Sequence, residues 1–126
     1  MTDGDSTARS EFLLYTTDDG GSDIEVRLVD ETVWLSQLEM AELFDRDVRT
    51  INEHIRNVFR ERELEEGAVI RNFRITAADG RSYDVVHHNL DVNISVGYRV
   101  MSISGTQFRI WATQRLRDYV RPAIGG

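Results

Sequence analysis

Beyond residue 10 the chain opens on strand-like periodicity. Glu11–Thr16 (EFLLYT) reads as a strand, and Ile24, Val26 and Leu28 alternate with Glu25, Arg27 and Val29, the two-residue period of a half-buried strand. Asp18-Asp19-Gly20-Gly21 between them is a turn signal, so the two segments predict a hairpin. Thr32-Val33-Trp34-Leu35 adds a short third strand.

The period then lengthens. Ser36 followed by Glu39 forms a capping box, and Leu38, Ala41, Leu43 and Phe44 fall on one side of the helix it starts. Asp45-Arg46-Asp47 interrupts that helix, and Asp47 caps a second one running to about Glu61. There Val48, Ile51, Ile55, Val58 and Phe59 recur at three- and four-residue steps, an amphipathic stripe. Glu61 to Gly67 reads as a charged loop. Val69–Thr76 and Arg81–His87 flank Ala77-Ala78-Asp79-Gly80, whose Asp-Gly pair favours a tight reversal.

Asn89 caps a third helix carrying Leu90, Val92, Ile94, Val96 and Val100, although Gly97 interrupts its pattern. Ser102 to Gly105 reads as a loop. Thr106 caps a last helix with Phe108, Ile110, Trp111, Leu116, Tyr119 and Val120, which Pro122 stops. The expected fold class is α+β: two β-hairpins with about four helices, including a helix-turn-helix at 36–60 in a winged-helix-like arrangement. Residues 1–9 are expected to be a flexible tail and 10–121 a single domain.

Composition narrows the function classes. The 126 residues are 40% hydrophobic with two Trp, enough for a single buried core. There is no cysteine, which removes disulfides and thiolate metal sites. No apolar run approaches the roughly eighteen residues of a membrane span. The acidic, polar start MTDGDSTARS is unlike a signal peptide, so the expected compartment is the cytoplasm, without a membrane partner.

The net charge of -7 opposes the basic footprint of a nucleic-acid binder. Its distribution is uneven, however. Acids crowd the first third, whereas from Gly97 to Gly126 the single acid Asp118 stands against Arg99, Arg109, Arg115, Arg117 and Arg121. All fifteen basic residues are Arg. GC-rich coding explains the lack of Lys, and adaptation to a salty cytoplasm explains that and the acidity together. Arg also suits phosphate and guanine, because its planar fork donates bidentately.

The helix pair carries the candidate chemistry. A helix-turn-helix needs a small residue in its first helix, a tight turn, and an apolar stripe holding the second helix by its back. Ala41, then Asp45-Arg46-Asp47, then Val48, Ile51 and Ile55 supply these in order. The outer face then presents Arg46, Arg49, Thr50, Asn52, Glu53, Arg56 and Asn57. Arg pairs with guanine, Asn with adenine, and Thr reaches phosphate or the thymine methyl. The alternative is an ordinary helical hairpin with a solvated polar face. Asp45 stands where such turns usually hold glycine and would lie near the phosphates. Arg99, Arg109 and Arg115 are candidates to grip phosphates beside the second helix.

Other constellations read as structural. His87-His88 near Asp84 and Asp91 suggests a metal site, but neighbours in a strand point to opposite faces, so one partly buried and one exposed histidine is expected. His54 packs or faces solvent. Asp18, Asp19 and Asp23 lack the spacing and terminal Glu of a calcium loop. No nucleophile motif or phosphate loop occurs, so no cofactor, metal or enzymatic activity is expected; a pocket uniting Asp84, His88 and Asp91 is the arrangement that reverses this.

Three runs carry a resemblance. Thr32-Val33-Trp34-Leu35-Ser36-Gln37 with Met40-Ala41-Glu42-Leu43-Phe44, then Asn89-Leu90-Asp91 with Ile94 through Val100, and above all Gly105-Thr106-Gln107-Phe108-Arg109-Ile110-Trp111-Ala112-Thr113-Gln114-Arg115-Leu116, resemble the virulence protein RhuM family of bacteria. The resemblance spans roughly Tyr15 to Tyr119. It implies an N-terminal helix-turn-helix, distant similarity to phage antirepressor-type DNA-binding domains, and association with mobile elements or pathogenicity islands. Two departures are Asp45 at the turn glycine and an end at Gly126 where family proteins continue, which reads as a truncated form of the N-terminal domain. The expected function is DNA binding in regulation or mobile-element control, with DNA and a second copy of the chain as partners. The alternative is a protein-interaction adaptor that binds no nucleic acid.

Overall fold

The computed structural model describes residues 11–17 and 20–120; the expected tail, part of the first turn and Pro122 lie outside them. Five strands form one antiparallel sheet: β1 (Glu11–Thr16), β2 (Asp23–Val29), β3 (Thr32–Ser36), β4 (Ile70–Thr76) and β5 (Ser82–Asn89). Their order is β1-β2-β3-β5-β4. The fold is α+β, and the two expected hairpins are joined through β3, where Leu35 pairs with His88 and Trp34 with Asn89. The β2–β3 hairpin closes on Asp30 and Glu31, both at positive φ (55° and 65°), which matches the twist of the flanking strands.

Five helices are described: α1 (Gln37–Phe44), α2 (Val48–Arg60), the single turn α3 (Glu66–Val69), α4 (Leu90–Val100) and α5 (Ile103–Val120). The α1–α2 pair is inserted between β3 and the β4–β5 hairpin. The larger core lies between the helices and one face of the sheet. Val26, Val33 and Leu35 from the strands meet Met40, Leu43 and Phe44 of α1, Ile51 and Ile55 of α2, Val92 and Val96 of α4, and Phe108 and Ala112 of α5. Each of these side chains larger than Ala112 contributes about 1.5–3 kcal/mol when fully buried. The other sheet face carries a smaller cluster, Val29, Trp34 and Phe73, with Ile75 against it. There the Arg27 guanidinium lies 4.5 Å from the ring centres of both Phe12 and Phe73.

Several local expectations are corrected. Leu38 is 70% exposed and Met40 fully buried, because α1 turns Met40, Leu43 and Phe44 inward. Val48, at the first position of α2, is exposed. The segment Ser102–Gly105 is mostly helical: α5 begins at Ile103, and Ser102 Oγ, not Thr106, receives the first-turn N–H, that of Gly105, at 3.2 Å. A glycine in that turn signals a loop by propensity, but its tertiary neighbours require it.

His87 and His88 are both buried, against the expectation of one exposed. They do point to opposite faces, but β5 lies between β3 and β4 and both faces are covered there. His88 faces the helices and stacks on Phe59, with ring centres 6.5 Å apart. His87 faces the smaller cluster, 4.9 Å from Phe73, with Nδ1 2.9 Å from the Val85 carbonyl.

Candidate nucleic-acid interface

The start of α1 is fixed as its residue types require. Ser36 Oγ accepts from the Glu39 N–H, and the Glu39 carboxylate accepts from the Ser36 N–H at 2.8 Å. Burial pushes the Glu39 carboxyl above its ordinary value, while the bonds from Ser36 pull it back. The helix ends at Asp45, which adopts the left-handed conformation (φ 54°, ψ 51°) and donates its N–H to the Ala41 carbonyl. Asp tolerates that region better than most non-glycine residues, so the reversal forms without glycine.

Asp47 then caps α2, accepting the Thr50 N–H at 2.8 Å. Bonds from the Thr50 backbone and hydroxyl hold its carboxyl below its ordinary value. Ile51, Ile55 and Val58 are buried, and Arg49, Glu53 and Arg56 on the other side are exposed.

The nine Arg, Thr and Asn residues singled out from the sequence divide into groups. Arg49 and Arg56 stand free of ion pairs among the described residues. Thr50, Asn52 and Asn57 are half-buried along α2, and Asn52 Oδ1 accepts from Gln37 Nε2 at 3.1 Å, tying α2 to α1. Arg46 is exposed, but its guanidinium is engaged: Nη1 donates to the Phe44 and Asp45 carbonyls and Nη2 to the Val100 carbonyl at 2.9 Å. It neutralises carbonyls at the C-terminal ends of α1 and α4, where a cation is favoured.

Of the late arginines, Arg99 and Arg115 are engaged in ion pairs. Arg99 is ion-paired with Glu61 and Glu63 at 2.8 and 2.9 Å, and Ser95 Oγ donates to Glu63 as well. These bonds hold the Glu63 carboxyl below its ordinary value and raise the Arg99 guanidinium. The network ties α4 to the chain just beyond α2. Arg115 lies 3.4 Å from Asp118. Arg109 lines a groove at the α4–α5 corner.

Two exposed cations not among those nine lie on the β4–β5 hairpin. Arg74 and Arg81 are exposed, with loose pairs to Asp84 at 3.7 Å and Asp79 at 3.9 Å. Arg residues flanking an Asp-Gly turn are the signal that marks them. Asp84 is thus tied to Arg74, His88 is packed on Phe59, and Asp91 is exposed. Among the described residues no three His, Asp or Glu side chains are grouped to hold a metal ion, and no helix is long and apolar enough to cross a membrane.

Residues 68–124 match the model of the virulence protein RhuM family. Over that segment, less than half of the chain, it resembles the RhuM family. No curated protein and no solved structure matches it. The RhuM match runs through the hairpin, α4 and α5, and the α1–α2 pair lies before it. Gly105, inside the matched segment, packs on Gly97 of α4 and on the Phe44 ring. Through those contacts the RhuM segment holds the end of α1.

Proposed function

We propose that this RhuM-like protein binds duplex DNA, with α1 and α2 as a helix-turn-helix and α2 presented to the major groove. The observation that carries the reading is α2 itself. One side is locked in the core by Ile51, Ile55 and Val58, and the other offers the exposed cations Arg49 and Arg56. Arg49 and Arg56 read bases or phosphates, and Thr50, Asn52 and Asn57 flank them. Arg46 sets the turn.

The order of elements supports a wing. A strand, two helices, the single turn α3 and a hairpin follow one another, and the strand pairs with the second hairpin strand. Arg74 and Arg81 would bring that hairpin to the phosphates. The setting we propose is regulatory, in mobile-element or virulence-associated control in the cytoplasm, with two copies on a two-fold site.

The test is binding to a fragmented genomic DNA library over a salt series. We expect affinity to fall steeply with salt. Arg49→Ala with Arg56→Ala should flatten the log–log slope by about two contacts' worth. Salt-insensitive binding, or a double variant that binds like the parent, rejects the reading.

A second reading rests on charge. The chain carries -7, and Arg46, Arg99 and Arg115 are engaged within the fold. That balance favours a protein-interaction adaptor. Stoichiometric recovery of one protein partner from nuclease-treated extract, with no DNA binding by the purified chain, decides for it.

A further inference from the structure

The α4–α5 corner carries an open groove of about 310 Å³. Its apolar walls include Ile94, Tyr98, Met101 and Ile103. Tyr98, Met101 and Ile103 are 73%, 87% and 77% exposed, the highest values among the large hydrophobic residues described. Met101 is also held in the left-handed conformation (φ 53°, ψ 48°), which disfavours any residue with a β-carbon. The turn therefore places an apolar residue in water at a conformational cost, with no burial in return within the chain.

The charge at this groove opposes that of the whole. None of its nine lining residues is acidic, on a chain of net charge -7, and Arg109 is among them. Among the described residues Arg109 takes part in no ion pair, in contrast to Arg99 and Arg115. The first turn of α5, at Ile103 and Gly105, adds the positive end of its peptide dipoles to the same wall. An adjacent groove shares Ile103 but is lined by Glu42 and Asp45, so an anion is favoured at Arg109 and disfavoured on that side.

We propose that the α4–α5 groove binds a small organic anion with an apolar body, its charged end on Arg109 and its body on Tyr98, Met101 and Ile103. Small-molecule sites combine mostly apolar walls with few polar anchors, and begin at about 300 Å³. The assignment stands independently of whether α2 binds DNA.

The test uses 3-phenylpropanoate and its uncharged amide, followed by methyl NMR of Ile94, Met101 and Ile103. The carboxylate should shift these methyls saturably and bind about tenfold tighter than the amide, the margin of a charge-assisted bond over a neutral one. Arg109→Gln should bring the two ligands to within about threefold while shifts elsewhere stay unchanged. Equal affinity of acid and amide for the parent chain overturns the proposal without need of the variant. So does the absence of saturable shifts at millimolar ligand. Broadening of the same methyls with protein concentration alone, together with a dimer by sedimentation, also overturns it and assigns the groove to a second copy of the chain.

Discussion

A β-carbon added to Gly105 would stand 3.0 Å from Phe44 Cε1 and 3.3 Å from the Gly97 Cα. The same addition at Gly97 meets the Phe44 ring at 3.5 Å, an ordinary contact. These two glycines let α4 and α5 close on each other over a ring that is itself 2% exposed.

The pair predicts opposite responses to one substitution. Gly97→Ala adds helix propensity without a clash and should stabilise the chain by about 0.5 kcal/mol. Gly105→Ala gains the same propensity but forces Phe44 or α4 to move, for a net loss of about 1 kcal/mol. Urea unfolding midpoints at unchanged slope measure both, and the reverse order would refute the packing argument.

Asp45 adopts the left-handed conformation at the end of α1. Glycine has no steric penalty there, so Asp45→Gly should stabilise by about 0.5–1 kcal/mol, and Asp45→Val should destabilise by more than about 1 kcal/mol. Thermal unfolding of the two variants gives the sign. Under the DNA-binding reading Asp45→Gly also removes a negative charge near the phosphates, so its affinity should rise.

His88 is 2% exposed, and burial followed by the charge of His87 depresses its pKa to about 4. The unfolded chain, with an ordinary histidine pKa near 6.5, binds more protons between those values, so stability falls as pH drops from about 6.5 toward about 4. The loss amounts to as much as about 3 kcal/mol. His87, depressed by burial, acts in the same direction, and Glu39, raised by burial, opposes it at the acidic end. His88 Nδ1 has no hydrogen-bond partner among the described residues, so His88→Leu should keep the fold and flatten the pH slope. Unfolding free energies at pH 7, 5.5 and 4.5 test this; equal slopes in parent and variant would contradict it.

Arg46 and Arg49, three residues apart, should behave differently. Arg46→Ala strips the charged donor from the Phe44, Asp45 and Val100 carbonyls and should cost about 1 kcal/mol of stability. Arg49→Ala breaks no such contact and should leave stability within about 0.5 kcal/mol while weakening DNA binding. Calorimetry alongside DNA titration separates the two roles.

Much of the α1–α2 pair is legible in the sequence because its determinants are local. The Ser36–Glu39 box, the Asp47 cap and the Ile51, Ile55, Val58 stripe each act within one or two turns of chain, and the strand alternation at Ile24, Val26 and Leu28 likewise states which side is buried. These features fix where the helices begin and that α2 keeps one polar side. The family resemblance is legible too, in the run from Gly105.

Tertiary structure decided the rest. Whether Arg46 and Arg99 are available to a ligand depends on the Val100 carbonyl, Glu61 and Glu63, which lie 54, 38 and 36 residues away along the chain. Both histidines are buried because β5 is an interior strand, a pairing that alternation within β5 does not specify. Gly105 belongs to a helix because α4 must approach it, although its own propensity favours a loop. Local pattern sets periodicity and caps, whereas burial, ion pairing and close packing are set by partners that only chain folding brings into contact.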